Sequence, residues 1–272
     1  MLLAEGVSKH FSGVAALSGV DMSVAPGEIV GLIGPNGSGK STLLNTFSGF
    51  IRPDAGTVTF NGERIDRRRP WDIAKRGLQR TFQLPAQPQR MTALEVMLTG
   101  ADLPRGSTVS RSLLRPGQVR AEQDQAIERA RALLDELTLL DLEHQAAGSL
   151  SGGQQKLLAL GVALMRRPGL LLLDEPTAGV NRSLRHALVS RLRAVNDAGT
   201  ALVIVEHDMG FVSELCGRVY VLDKGKVLTS CEPSELVNDP RVVEAYLGTR
   251  KQRPRMVPTL PRTERQPRNV PS

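Results

Sequence analysis

The residues best suited to chemistry lie at Gly34-Pro35-Asn36-Gly37-Ser38-Gly39-Lys40-Ser41-Thr42. They fit the pattern GxxxxGK[ST], with an apolar run before and a helix-forming stretch after. Glycine has no Cβ, so consecutive backbone N–H groups can turn inward and wrap phosphate oxygens. A helix opening directly behind such a loop adds the positive end of its dipole. Lys40 is placed to reach the β- and γ-phosphates of a nucleoside triphosphate. The Ser41 hydroxyl suits Mg2+, a hard cation that takes oxygen ligands and keeps several waters.

Two acids form a second chemical element. Leu170-Leu171-Leu172-Leu173 runs straight into Asp174-Glu175, a buried strand ending in adjacent carboxylates. In an open α/β sheet, ligands gather at the carboxyl ends of strands, and neighbouring strand residues face opposite sides. The acids can therefore divide their work, Asp174 holding Mg2+ through water and Glu175 orienting or deprotonating the attacking water. The third element is Leu150–Lys156, LSGGQQK. Ser151 sits where a helix N-cap belongs, and Gly152 and Gly153 permit close backbone approach. Without a lysine like that of the first loop, this is half a phosphate site, suited to one terminal phosphate. On residues alone, an ordinary capped helix is the favoured reading.

These loops need strands and helices to position them. Ile29–Ile33, Leu170–Leu173 and Ala201–Val205 read as buried strands, and Val58–Phe60 as a strand closed by the Asn61-Gly62 turn. Arg218–Asp223 and Lys226–Thr229 read as a strand pair joined through Lys224-Gly225. Thr42–Gly49 and Ser183–Val195 have helical character. Continuous apolar strands alternating with helices predict a parallel sheet covered on both faces, an α/β fold. Met91–Leu142 has no strand-like run. Within it, Val119–Leu140 follows helical spacing with Ile127, Ala130, Leu133, Leu134 and Leu137 on one face, so residues 91–165 read as a helical insert. No internal repeat is present.

The chain has 272 residues, 40% of them hydrophobic and only nine aromatic, so Leu, Val, Ile and Ala must build the core. The net charge of +7 is misleading as a pointer to nucleic acid. From Arg250 onward seven basic residues face one acid, leaving residues 1–249 near +1. That tail, 250–272, also holds five prolines and reads as a disordered, solvated extension. Cys216 and Cys231 show no metal or disulfide spacing and read as reduced thiols. Glu5 interrupts the N-terminal apolar residues too early for a signal peptide. The longest apolar run, Leu157–Met165, has nine residues, well short of the roughly 18 that suggest a membrane span.

GPNGSGKST, LSGGQQ and LLLLDEP, in that order with a helical segment between the first two, closely resemble the ATP-binding cassette ATPases over about residues 1–249. The resemblance implies a P-loop NTPase core with a mainly parallel sheet, an N-terminal antiparallel β subdomain and an inserted α-helical subdomain. It implies ATP and Mg2+ as cofactors. It also implies a head-to-tail pair of cassettes, Ser151, Gly152, Gly153 and Gln154 of one closing on the γ-phosphate held by the other. Phe11 matches the aromatic that stacks on adenine. Gln83, in RTFQ, matches the glutamine linking Mg2+ and the attacking water to the membrane partner, and His207 matches the switch histidine at the γ-phosphate. Thr177–Asn181 occupies the loop that crosses the dimer interface, with Asn where many cassettes carry Asp.

RTFQ, PTAGVN, VEHDM and DPRVVEAYLG further resemble the ATPase subunits of branched-chain amino acid importers and their urea and amide relatives. Those often have an altered signature loop, whereas LSGGQ is intact here. The lipopolysaccharide-export ATPase shares the cassette and a similar YLG ending. The implied setting is the cytoplasmic face of the inner membrane, peripheral. The implied partners are a second ATPase subunit, two transmembrane permease subunits and an extracytoplasmic solute-binding protein, with no nucleic acid. A soluble cassette acting on ribosomes or DNA is disfavoured by the single cassette and the lack of sustained heptads. A small-molecule P-loop kinase leaves LSGGQ unexplained.

Overall fold

The computed structural model describes residues 1–81, 90–101, 116–180 and 182–248. Among the described residues, ten strands form two sheets. The first carries β1 (Leu2–Phe11), β2 (Val14–Val24), β4 (Ala55–Phe60) and β5 (Glu63–Arg64) in the order β2-β1-β4-β5, all antiparallel. The second holds β3 (Ile29–Ile33), β6 (Leu78–Arg80), β7 (Leu170–Asp174), β8 (Ala201–Val205), β9 (Arg218–Asp223) and β10 (Lys226–Cys231). Its order is β10-β9-β3-β8-β7-β6, parallel throughout except for β10. The helices are α1 (Lys40–Phe47), α2 (Pro70–Lys75), α3 (Ala93–Thr99), α4 (Pro116–Glu136), α5 (Gly152–Leu164), α6 (Arg182–Asp197), α7 (Met209–Leu215) and α8 (Pro240–Gly248).

The parallel strands are apolar throughout because both their faces are buried, and the period of two sorts each residue to one side. Leu170, Leu172, Ala201, Val203 and Val205 join Leu43, Leu44 and Phe47 of α1 in a core shared with the antiparallel sheet. Leu171, Leu173, Leu202 and Ile204 pack instead against α5, α6 and α7. The helices α3, α4 and α5 pack on one another, as the helical insert requires. Ala130, Leu133, Leu134 and Leu137 are buried there, while Ile127 is only half-buried. Helix α4 stops at Glu136, short of the expected Leu140, because Thr138 takes the left-handed conformation at φ 58°.

The strands β1 and β2 escape period-two reading for a physical reason. Their buried residues run Leu2, Ala4, Val7 and Leu17, Val20, Met22, Val24. Register shifts fall between Ala4 and Val7 and next to Leu17 and Val20 in this pair. A bulge inserts one residue and inverts the phase of the alternation.

The sequence order of the parallel strands also matters for chemistry. The strands β3, β8 and β7 are neighbours, so the loops leaving their carboxyl ends emerge side by side although they are far apart in the chain. The loop after β3 is tightly enclosed. Gly34 has φ 148°, and a Cβ there would stand 2.0 Å from the Leu222 carbonyl oxygen, a backbone atom that cannot swing aside. Gly37, at φ 79°, faces open space. Gly34→Ala should therefore lower nucleotide-free unfolding stability by about 3 kcal/mol, combining overpacking with backbone strain, against about 1 kcal/mol for Gly37→Ala. Denaturant midpoints of the two variants check the difference.

Candidate nucleotide site

A cavity of about 200 Å3 is lined by Ala16, Asn36–Thr42, Glu175, Val205 and His207. Larger clefts exist, including one of about 510 Å3 edged by α4 and α6, but no phosphate loop or strand-end acid converges on it. Helix α1 opens at Gly39 with no side-chain cap and no acid in its first turn. Its leading N–H groups are thus left for an anion. Ser38 is buried with its hydroxyl unpartnered, a polar atom that a phosphate oxygen would satisfy. Lys40 is 6% exposed and donates to the carbonyls of Gly34 at 2.8 Å and Pro35 at 3.0 Å. Burial pulls its pKa down, while Glu175 and Asp174 push it back up. From behind, the loop is buttressed by Gly225 N–H donating to the Ser38 carbonyl at 2.9 Å.

At the end of β7 the two carboxylates part, as strand alternation requires. Asp174 pairs with Arg80 at 2.9 Å, and Arg80 also donates to Asn45 of α1 at 2.6 Å. Glu175 turns toward the cavity and lies 3.2 Å from His207 Nε2. It does so with φ 48°, left-handed backbone that costs a non-glycine residue on the order of 1–3 kcal/mol. Three contacts secure that turn. Glu175 N–H donates to the Val205 carbonyl at 2.9 Å. Its own carbonyl accepts from Ala178 N–H at 3.2 Å and from Lys156 Nζ at 2.9 Å.

Sequence reasoning missed three of these residues. Lys156 left a faint signal, as the last cation before the apolar run of α5. Glu206 left another, as an acid ending the apolar strand β8. It is 3% exposed, and its carboxylate accepts from Thr177 N–H at 2.7 Å, Thr177 Oγ1 at 2.6 Å and His207 N–H at 3.0 Å. Arg80 left no sign, since its partners Asn45 and Asp174 lie on two other elements.

The structure brings Asn36, Gly37, Ser38, Gly39, Lys40, Ser41, Thr42, Glu175 and His207 around one cavity. Gly34 and Pro35 take part through their carbonyls. Phe11 lies outside, 44% exposed at the β1–β2 turn, with the Lys9 ammonium 5.5 Å from its ring centre. Ser151, Gly152, Gly153 and Gln154 also lie outside. Ser151 caps α5, its hydroxyl accepting from Gln154 N–H at 3.4 Å while Gln154 Oε1 receives Ser151 N–H at 2.9 Å. Ser151 and Gly152 are exposed. Gln83, Asn181 and the tail 250–272 fall outside the described residues.

A family model described as ABC transporter matches residues 17–178. The chain belongs to the ABC transporter family. This cassette is 39% identical over 248 residues to a probable branched-chain amino acid transport ATP-binding protein, LivG, of Archaeoglobus fulgidus, covering 91% of this chain and 95% of that one. It superimposes on the ADP conformation of MJ1267, an ATP-binding cassette of an ABC transporter, with TM-score 0.80 and 36% identity over 91% of this chain and 98% of the other. It is also similar to a dimeric post-hydrolysis state of the cassette MJ0796 bound to ADP and Pi. There the TM-score is 0.71 and the identity 26%, over 86% of this chain and 99% of that one. The cassette is thus an ATPase, the ATP-binding subunit of an ABC transporter, with the mixed-sheet architecture of that family. Phe11 and His207 lie beyond the segment the family model matches.

Proposed function

We propose that this cassette powers import of branched-chain amino acids, or of related small polar solutes such as urea and amides. The observation that carries this is similarity to proteins named for branched-chain amino acid transport, at 33–39% identity over 91% of the chain. Residues 1–249 constitute the ATPase domain, with 91–165 as its helical insert and 250–272 as a tail. The cassette works as one of two ATPase subunits on a pair of transmembrane permeases, at the cytoplasmic face of the inner membrane, with an extracytoplasmic binding protein delivering solute. Among the described residues no helix is long and apolar enough to cross a membrane, consistent with peripheral attachment.

In this reading Phe11 stacks on adenine, and Gly34–Thr42 with Lys40 hold the phosphates. The Ser41 hydroxyl, Gln83 and, through water, Asp174 hold Mg2+, which would neutralise phosphate charge. The donor set is hard and all oxygen, as that ion requires. Glu175 orients or deprotonates water, and His207 meets the γ-phosphate. The signature loop Ser151–Gln154 serves a second cassette. Ser151 is suited to that role, because its hydroxyl accepts within the capping box and so keeps its own proton for a phosphate oxygen. The exposure of Ser151 and Gly152, and the loop's place outside the lining of this chain's own cavity, support action in trans.

Affinity purification of the tagged full chain from membranes should recover two apolar subunits. A strain lacking the gene should lose most uptake of labelled leucine, isoleucine and valine, or of urea or short amides for the related cargo. A soluble pool bound to nucleic acid, with all uptake intact, would overturn the proposal.

A further inference from the structure

We propose that Lys156 is a positioning residue for hydrolysis: bonded to the Glu175 carbonyl, it holds the left-handed turn that aims the Glu175 carboxylate at His207. It thereby ties the start of the signature helix to the hydrolytic corner of its own chain. The inference rests on the reading that Glu175 acts on water.

Lysine on a helix ordinarily sends its ammonium into solvent, but this one is half-buried and bends to a main-chain oxygen 19 residues away. The chosen oxygen belongs to the residue with φ 48°. In that conformation Glu175 directs its side chain to His207 Nε2 at 3.2 Å. Relaxing the backbone to the right-handed or extended region would swing the Cα–Cβ bond, and the carboxylate with it, away from the cavity. A charged donor holds a carbonyl more strongly than a neutral one, and Ala178 N–H is the only other donor to that oxygen among the described residues.

Glu206 completes the arrangement. Its buried carboxylate fastens Thr177, two residues past Glu175, to His207 N–H. Lys156 feels both acids, since burial lowers its pKa while Glu206 and then Glu175 raise it. One cation therefore serves two acids that lie at the ends of neighbouring strands. Ser151 caps the same helix one turn earlier. Engagement of Ser151 by a second cassette would bear on the same helix that carries Lys156. The signature loop of one site and the hydrolytic turn of the other are thus mechanically joined within a single chain.

The test uses the purified full-length cassette and compares Lys156→Met, Lys156→Arg and Glu175→Gln. Lys156→Met keeps the apolar stem and removes the donor. Its kcat should fall roughly 10- to 100-fold with KM and calorimetric ATP affinity within about threefold, the pattern of an interaction needed for turnover alone. Lys156→Arg, still able to donate to the carbonyl, should recover kcat to within about fivefold of the parent. The assignment is overturned if Lys156→Met turns over within about twofold of the parent while Glu175→Gln is inactive. It is equally overturned if ATP affinity falls in proportion to turnover, or if arginine does not rescue. Parental turnover by Glu175→Gln would instead remove the reading of Glu175 itself, and the inference with it.

Discussion

Glu175→Gln should reduce kcat by about 100- to 1,000-fold, the range for loss of one positioned electrostatic group, while ATP affinity stays within about threefold of the parent. The asymmetry follows from where the two jobs are done. In the proposed site, phosphate binding is assigned to the β3–α1 loop, with its backbone N–H groups, the unpartnered Ser38 hydroxyl and Lys40. Water activation is assigned to the end of β7, where the Glu175 carboxylate meets His207 at 3.2 Å. The amide has nearly the same volume and leaves the main-chain contacts of residue 175 to Val205, Ala178 and Lys156 in place. What it loses is negative charge and basicity, and a neutral amide cannot take a proton from water. The protein should accumulate as an ATP-bound dimer, visible as a larger species by size exclusion in the presence of ATP and absent with ADP. Unchanged turnover, or loss of ATP binding, would count against the division of labour between the two strands.

How much of this was legible in the sequence depended on whether the determinants were local. The loop Gly34–Thr42 and the pair Asp174-Glu175 announce themselves because each is contiguous and each follows an apolar strand. The alternation that splits Leu170–Leu173 between two cores is equally plain. The strands β1 and β2 were hidden because their bulges reverse the alternation midway. His207 has no local signal and entered only through the family resemblance. Lys156, Glu206 and Arg80 were hidden for another reason, since each acts on an atom set by tertiary contact. Lys156 seeks a carbonyl, Glu206 accepts from two N–H groups and a hydroxyl, and Arg80 bridges Asn45 and Asp174. A pattern of residue types does not encode which backbone atom a side chain will find. The division of Asp174 and Glu175 was foreseeable in direction from strand alternation. The left-handed turn at Glu175 was not, because glutamate gives no local reason to adopt it.

Lys40→Ala should weaken ATP binding by about 100-fold, since charge-assisted hydrogen bonds contribute roughly 1.5–3 kcal/mol each and Lys40 is placed to make more than one. Among the described residues lining the cavity it is the only lysine or arginine. Its removal does not strand a buried acid, because Asp174 keeps Arg80 at 2.9 Å and Glu175 keeps His207. The nucleotide-free fold should therefore survive, with a melting midpoint within a few degrees of the parent, and the defect should be one of binding. That separation makes the variant a probe of the second cassette. A Ser151→Arg copy has an intact phosphate loop and a blocked signature loop, and a Lys40→Ala copy has the reverse. Each alone should be inactive. In a one-to-one mixture half of the dimers pair one copy of each. Such a dimer contains one site built from the intact phosphate loop of one chain and the intact signature loop of the other. Activity should then rise to at most about a quarter of the parent, the figure set by two-fold pairing of identical surfaces. If each chain served its own ATP, mixing would add nothing, and a mixture no more active than its components would exclude the shared site.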